Sequence, residues 1–242
     1  MSEPLLSLRG ISKSYWRGPR EISVLADVSL DLYPARLVAI WGQHRSGKTT
    51  LLQVAAGLQR PTNGVVRFDG RDLAGMSASA LAGIRREQMA WARPSGPQTP
   101  DLRMLTYVAL PLLGKLSRRE AHRRALAALK QVGAGECARA RWAHLSDSEQ
   151  TLVAIAHALV RKPRLLLLDE QTGNLDDLER ERMMRLLRAL SDDTGLGVVV
   201  IVPDMTEMLY AHEIRTLSNG RLEEPTEEPM NVIDFPGRER LA

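Results

Sequence analysis

The 242-residue sequence contains one cysteine, Cys137, few aromatic residues and no long apolar run. A single cysteine excludes an internal disulfide bond and a metal site built from several cysteines. The longest apolar runs, such as 165–168 and 198–202, are far shorter than the roughly 20 residues that a membrane-spanning helix needs. The first ten residues lack the basic start and apolar stretch of a secretory signal. The sequence therefore predicts a soluble, cytoplasmic protein.

The composition also argues against a nucleic-acid-binding protein. Aromatic residues make up only 4% of the chain, so a surface for stacking bases is not expected. The net charge of +4 comes from 28 arginines and 5 lysines that are spread along the chain. Most of them alternate with acidic residues, and no nucleic-acid-binding motif accompanies them. Hydrophobic residues, at 44%, suffice for a sizeable core.

Strand-like and helix-like segments alternate along most of the chain. Strands are predicted at 5–15, 22–32, 37–41, 64–69, 165–169 and 198–202. Helices are predicted at 49–58, 80–86, 106–116, 117–132, 146–160 and 176–190, with Ser117 as an N-cap three residues before Glu120. This alternation favours an α/β fold with a mainly parallel sheet and right-handed crossovers.

A glycine-rich phosphate-binding motif follows the third predicted strand. Residues 42–49 match G-x-x-x-x-G-K-[ST] at every fixed position and precede a predicted helix. In this motif backbone N–H groups and the helix N-terminus hold anionic phosphates, a lysine adds charge at the outer phosphates, and the hydroxyl binds Mg²⁺. Arg45 either adds positive charge near the phosphates or points to solvent. The predicted nucleotide-binding residues are Gly42, Gln43, His44, Arg45, Ser46, Gly47, Lys48, Thr49 and Thr50.

Two acidic residues follow a second apolar strand. Residues 165–168 are four leucines, and Asp169 and Glu170 come directly after them. With the glycine-rich loop, this arrangement predicts that Asp169 holds Mg²⁺ through water. It also predicts that Glu170 is catalytic, either as general base or as polariser of the attacking water. Thr49 and Asp169 are therefore the predicted metal-binding residues.

Further segments resemble one family closely. They are Val-Ser-Leu at 28–30, Ala-Leu-Pro-Leu-Leu at 109–113 and Asp-Glu-Gln-Thr-Gly-Asn-Leu-Asp at 169–176. Together with the glycine-rich loop, they resemble the ATPase subunits of ABC transporters. The similarity is strongest to the subgroup of lipoprotein release, macrolide export and cell division. The last segment differs from that subgroup's DEPTGNLD only at Gln171.

The resemblance implies a fold, cofactors, partners and a cellular location for the protein. It implies a P-loop NTPase (RecA-like) core, an N-terminal antiparallel β-subdomain and an inserted α-helical subdomain near 87–160. The ATPase domain would cover 4–222, and the acidic, proline-containing residues 223–242 would form a tail. ATP and Mg²⁺ would be the cofactors. The chain would work on the inner face of the cell membrane with integral membrane subunits, which a groove near 93–112 would contact.

The resemblance also assigns roles to individual residues. Tyr15 falls where the family stacks an aromatic ring on adenine, although it could be an ordinary strand tyrosine. Leu175 and Asp176 fall in the segment that contacts the partner ATPase, known as the D-loop. The family's signature motif, LSGGEQ, acts on the nucleotide of the other subunit. Its counterpart here comprises Ser146, Asp147, Ser148, Glu149 and Gln150.

Three family motifs that serve hydrolysis are altered in this chain. Asp147 and Ser148 replace the signature glycines, Pro94 occupies the position of the Q-loop glutamine, and Pro203 that of the switch histidine. Proline offers no side-chain donor and no N–H group. We therefore expect MgATP binding with slow or partner-dependent hydrolysis. The alternatives are an active enzyme that tolerates the changes and a regulatory subunit that binds ATP without hydrolysing it.

The replacements also bear on the partner ATPase. In a homodimer both composite sites would carry all three replacements, whereas a complete partner would share them between the two sites. The sequence therefore favours a heterodimer with a second ATPase subunit and leaves a homodimer as the alternative.

Overall fold

The computed structural model describes residues 3–93, 95–169, 175–203 and 209–223. The strands are β1 (Leu6–Arg17), β2 (Arg20–Leu32), β3 (Leu37–Trp41), β4 (Asn63–Phe68), β5 (Arg71–Asp72), β6 (Met89–Ala92), β7 (Leu165–Leu168), β8 (Gly197–Ile201), β9 (Glu213–Ser218) and β10 (Arg221–Glu223). The helices are α1 (Lys48–Ala55), α2 (Ala78–Glu87), α3 (Met104–Ala109), α4 (Arg118–Gln131), α5 (Asp147–Leu159) and α6 (Asp177–Thr194). Three short 3-10 helices cover Leu110–Leu112, Gly135–Arg139 and Trp142–His144.

The N-terminal strands form a four-stranded antiparallel sheet in the order β2-β1-β4-β5. Its long central pair, β1 and β2, brings Leu6 opposite Leu32 and Leu8 opposite Leu30. These leucines are buried, so one face of the sheet packs on the core.

The second sheet has six strands in the order β10-β9-β3-β8-β7-β6. Strands β9, β3, β8, β7 and β6 run parallel, and only β10 is antiparallel to its neighbour. Every residue of β7 and β8 is buried. Continuous burial is typical of parallel strands that are covered on both faces.

Two hydrophobic clusters cover the two faces of this sheet. Leu165 and Leu167 of β7 point into a cluster shared with α1 and the antiparallel sheet. Leu166 and Leu168 point the other way, into a cluster built with α3, α4, α5 and α6. The antiparallel N-terminal sheet, the mostly parallel second sheet and the helical layer confirm the predicted α/β fold.

Most predicted elements are present, and their ends differ by a few residues. The predicted N-cap of α4 is confirmed, because the Ser117 hydroxyl accepts a hydrogen bond from the Glu120 N–H. The helix predicted at 106–116 ends earlier. The helix α3 stops at Ala109, and the chain tightens into the 3-10 helix that contains Pro111, which has no N–H to continue the α-helical pattern.

Four strands were not predicted from the sequence, namely β5, β6, β9 and β10. One of them, β6, lies inside the expected helical segment of 87–160, yet it pairs with β7 at the edge of the main sheet. The helices α3, α4 and α5 of that segment pack together beyond it. Strand β10 pairs with β9 and ends at Glu223, the first residue of the predicted tail. Within the described ranges, no helix is both long and apolar enough to span a membrane.

Candidate functional site: a phosphate-binding loop

The glycine-rich loop connects the end of β3, at Trp41, to the start of α1, at Lys48. Two glycines are required by its geometry. Gly47 has a φ of 105°, and a Cβ there would lie 2.8 Å from the Val24 carbonyl oxygen. A Cβ on Gly42 would lie 2.4 Å from the Leu217 carbonyl oxygen. Both contacts are shorter than atoms tolerate, so a side chain at either position would displace the loop.

The Lys48 side chain lies within the loop. It is 6% exposed, and its Nζ donates hydrogen bonds to the carbonyl oxygens of Gly42, at 2.6 Å, and Gln43, at 2.9 Å. The ammonium group thus holds the first turn of the loop against the start of α1. A lysine buried at a helix N-terminus places positive charge where the N–H groups of that helix already favour an anion.

A cavity of about 260 Å³ opens over this loop. It is lined by Val24, His44, Arg45, Ser46, Gly47, Lys48, Thr49 and Thr50. None of these residues is acidic. The hydroxyl oxygen of Ser46 is buried and has no hydrogen-bond partner among the described residues, which leaves it available to a polar ligand. Except for the exposed Gln43 and the buried Gly42, the structure therefore brings the predicted loop residues together around one cavity.

The predicted metal-binding and catalytic acids follow β7. Asp169 comes directly after the last residue of β7 and is partly buried. Because β7, β8 and β3 are parallel neighbours, Asp169 and the glycine-rich loop lie at the same carboxyl-terminal edge of the sheet. Glu170 lies outside the described residues. A threonine hydroxyl and a carboxylate are oxygen ligands, which fits Mg²⁺.

Pro203, which the resemblance assigned to the position of the switch histidine, lies beside the loop. It follows β8, and its carbonyl oxygen accepts a hydrogen bond of 3.2 Å from the indole N–H of Trp41, the last residue before Gly42. The pyrrolidine ring provides no donor to a phosphate at this position. Pro94, the other replaced position, lies outside the described residues.

The signature counterpart begins the helix α5. Ser146 is its N-cap and forms a capping box with Glu149. The Glu149 carboxylate accepts hydrogen bonds from the Ser146 N–H, at 2.9 Å, and from the Cys137 thiol, at 3.6 Å. Burial and this carboxylate raise the pKa of Cys137 to about 11, so the thiol stays protonated. Asp147 is exposed in the first turn. None of these residues lines the loop cavity.

The remaining predicted residues lie apart from the cavity. The Tyr15 hydroxyl donates a hydrogen bond to Gln59, and the Lys13 ammonium lies 5.2 Å from the centre of the ring. Leu175 is buried in the helical cluster. Asp176 caps α6, where its carboxylate accepts a hydrogen bond of 2.8 Å from the Glu179 N–H. A single chain therefore does not bring these groups onto the cavity.

The sequence did not reveal the residues that support the loop from outside. Val24 forms a wall of the cavity, and the Leu217 carbonyl lies behind Gly42. These contacts join strands that are distant along the chain, and neither residue stands in a recognisable motif. Only Gly42 and Gly47, which lack a side chain, indicated in the sequence that other backbone segments pass close to the loop.

Comparison with known proteins identifies the family. The family model described as "ABC transporter" matches residues 25–173. The chain is 36% identical over 224 residues to the lipoprotein-releasing system ATP-binding protein LolD 2 of Caulobacter vibrioides, covering 92% of this chain and 98% of the relative. It is 34% identical over 223 residues to the macrolide export ATP-binding/permease protein MacB of Sodalis glossinidius. That match covers 92% of this chain and 34% of the much longer relative.

Solved structures show the same relationship. The dimeric structure of MJ0796, a bacterial ABC transporter cassette, matches with a TM-score of 0.82 and 32% identity, covering 90% of this chain and 97% of the other. A second MJ0796 structure, a dimeric post-hydrolysis state bound to ADP and Pi, matches with a TM-score of 0.81 and 31% identity, covering 90% and 97% of the two chains. The chain therefore belongs to the ABC transporter family, and the relatives that it matches are of the LolD and MacB type.

Proposed function

We propose that the chain is an ATP-binding subunit that powers or gates an ABC-type membrane complex through nucleotide-driven dimer closure. The observation that carries this proposal is the cavity over the glycine-rich loop, with the buried Lys48 ammonium and the Ser46 hydroxyl, which has no hydrogen-bond partner in the described part of the chain. It has the charge, the backbone geometry and the helix N-terminus that a nucleotide phosphate chain requires.

Magnesium would be held by Thr49 directly and by Asp169 through water. The ion supplies positive charge that offsets the charge of the phosphates. The chain's own contribution is to position the phosphates: Lys48 and the loop N–H groups would bind them, and Val24 forms one wall of the cavity. Tyr15 would bind the adenine ring, since it lies on β1 with its side chain 37% exposed.

Hydrolysis would be slow or dependent on a partner ATPase. Pro203 and Pro94 offer no side-chain donor, and losing one preorganised donor to developing charge typically costs ~10²–10³ in rate. Asp147 would face an anion across the dimer, and two unit charges at ~4 Å repel by about 1–4 kcal/mol in water-like to surface-like surroundings. Glu170 remains as the base, which favours residual activity.

The partners would be integral membrane subunits, with the chain on the inner face of the membrane. Apolar surface is exposed in and next to the segment 93–112 that was expected to contact them, since Leu110 is 44% exposed and the adjoining Leu113 is 38% exposed. Across the ATPase interface the partner would be a second, more complete ATPase subunit or a second copy of this chain. A heterodimer would hydrolyse ATP faster, because its composite sites would divide the replaced positions between them.

A regulatory subunit that binds ATP without hydrolysing it is the second candidate function. Pro203 favours it, because this residue lies beside the loop and contributes only a backbone carbonyl, which the Trp41 indole already occupies. In such a subunit nucleotide binding alone would shift the population of the closed dimer.

Nucleotide binding is tested by titrating the purified chain with a fluorescent ATP analogue and Mg²⁺. Lys48→Ala should weaken binding about tenfold or more, since a charge-assisted contact to phosphate is lost. Lys130→Ala, which removes an exposed lysine on α4, is the matched control and should bind normally. Equal affinities for the wild type and Lys48→Ala would refute the proposed site.

Hydrolysis is tested by comparing phosphate release by the chain alone with release by the chain co-expressed with the products of neighbouring genes. We expect slow release alone and faster release in the complex. Rapid turnover by the isolated homodimer would refute partner dependence. If Glu170→Gln left turnover of the complex unchanged, the chain would be the regulatory subunit instead.

A further inference from the structure

Arg45 and Asp147 are two exposed residues of opposite charge. Arg45 lies in the glycine-rich loop, and Asp147 lies in the first turn of α5. Neither forms an ion pair within the part of the chain that the structure describes. Asp147 stands where the family's signature motif has glycine, so it adds a charge to a surface that is otherwise backbone.

Arg45 has a backbone conformation that is unfavourable for a residue with a Cβ. Its φ is 66°, in the left-handed region where a Cβ crowds the following carbonyl group. Its side chain lines the loop cavity. A strained residue that offers a charge at a binding surface points to a use for that charge outside the monomer.

The Asp147 side chain is also accessible to a partner subunit. Its carbonyl oxygen accepts a hydrogen bond from the Thr151 hydroxyl within α5, but its carboxylate is exposed. The neighbouring groups already have partners, since Ser146 caps the helix and Glu149 completes the capping box. The carboxylate is thus a negative charge that projects from the end of α5.

We propose that two copies of this chain close head to tail, with Arg45 of each copy facing Asp147 of the other. The proposal rests on the proposed function, in which the N-terminus of α5 in one subunit meets the glycine-rich loop of its partner. A two-fold axis repeats every contact, so one closed dimer would contain two such pairs. The arginine would also neutralise the carboxylate that otherwise repels the bound phosphates.

This pairing selects a second copy of the chain over an ATPase with glycine at both positions. Against such a partner, Arg45 would find no carboxylate and Asp147 no cation. Close charge pairs across an interface contribute to both affinity and partner choice. The homodimer would hold its nucleotides with little turnover, since both of its sites carry Pro203.

The test mixes two oppositely charged variants of the full chain. Arg45→Asp alone gives two repelling acidic pairs in a homodimer, and Asp147→Arg alone gives two repelling basic pairs. Mixed together, the two variants form a dimer in which both pairs attract. The molar mass is measured by light scattering during size exclusion, in low salt with MgATP, for each protein alone and for the mixture.

We expect the wild type and the mixture to dimerise, and each single variant to dimerise about a hundredfold more weakly. The double variant, in which the two charges are exchanged, should dimerise more tightly than either single variant. Arg119→Asp, which makes the same charge change on the exposed start of α4, should have no effect. A wild type that stays monomeric at saturating MgATP, or a mixture that stays monomeric, would overturn the pairing.

Nucleotide affinity, measured on each variant in parallel, separates this result from the proposed function. If the wild type binds MgATP but the mixture is not rescued, only the charge pairing fails. If the wild type does not bind MgATP, the proposed function fails. Dimers of the wild type should also weaken as the salt concentration rises, because exposed charge pairs are screened.

Discussion

His157 should make the folded state sensitive to mild acid. It lies on α5, where its ring stacks on Tyr107 with 4.5 Å between ring centres and an angle of 9°. Burial, together with the nearby Arg161 guanidinium, lowers the pKa of His157 to about 4. In the unfolded chain the pKa returns to about 6.5. The difference corresponds to a loss of up to roughly 3 kcal/mol of folding free energy once the pH has fallen to about 4.

Proton binding at His157 determines whether the stability rises or falls with pH. Between pH 6.5 and about 4 the unfolded chain binds a proton at His157 and the folded chain does not, so stability decreases as the pH falls through this window. Above pH 6.5 both states are neutral at this residue, and below about 4 the loss is complete. The free energy of unfolding should be measured by urea denaturation at several pH values from 7 to 4.

The control is His157→Phe, which keeps a flat ring against Tyr107 and removes the titrating group. Its free energy of unfolding should fall less steeply over the same range, by up to roughly 3 kcal/mol in total. His212, whose pKa is also lowered by burial and by Arg188, is present in both proteins and cancels. Parallel curves for the two proteins would show that His157 does not titrate as the structure implies.

Three further substitutions test packing and capping in the fold. Gly96→Ala should destabilise the fold by about 1–3 kcal/mol, because its Cβ would lie 2.5 Å from the Trp142 ring; urea denaturation and a changed tryptophan emission would report it. The matched change Gly83→Ala in α2 meets no atom within 4 Å and should instead stabilise by about 0.5–1 kcal/mol. Ser146→Ala removes the N-cap of α5 and should cost about 1 kcal/mol in thermal or urea unfolding. An unchanged midpoint would mean that the cap found with Glu149 is not formed in solution.

The glycine-rich loop could be predicted from the sequence because its requirements are local. The spacing of Gly42, Gly47 and Lys48 within one short run determines how the backbone turns and where the ammonium group lies. The four leucines of β7 were equally informative, since a short apolar run followed by two acids is typical of a buried strand that ends at a site. These are properties of neighbouring residues, which a sequence displays directly.

The strands that were missed depend on contacts with distant segments. Strand β6 follows α2 with no proline or glycine between them, so nothing in the sequence marks its start. The side chains of β9 do not alternate between buried and exposed, and β10 has only three residues. Their strand conformation comes from pairing with β7, β3 and each other, which local propensity does not reveal.

The signature residues show a second limit of the sequence. The sequence shows that Asp147 replaces a glycine, but it does not show whether the Asp147 carboxylate is accessible to another molecule. That depends on how α5 is capped, and the structure shows that Ser146 and Glu149 satisfy each other and leave the Asp147 carboxylate exposed. Sequence reasoning could assign the charge to a family position but could not say what it contacts.

The carbonyl oxygen of Val24 lies close to two segments that are distant along the chain, the phosphate-binding loop and the turn between β9 and β10. A Cβ at Gly47, in the phosphate-binding loop, would lie 2.8 Å from this oxygen, and a Cβ at Gly220, in the turn between β9 and β10, would lie 2.5 Å from it. The Ala26 N–H also donates a hydrogen bond of 2.8 Å to the Gly220 carbonyl oxygen. One strand segment is therefore clamped between the loop and the last hairpin.

The contacts of this strand segment couple the loop to the hairpin, and such coupling acts equally in both directions. If phosphates bound at Gly47 press the loop more firmly against Val24, then docking of the hairpin at Gly220 must raise phosphate affinity by the same factor. The turn before β10 would thus be an effector position of the nucleotide site although it contributes no atom to the cavity. A contact that holds this turn in place would thus act on the nucleotide site through Val24.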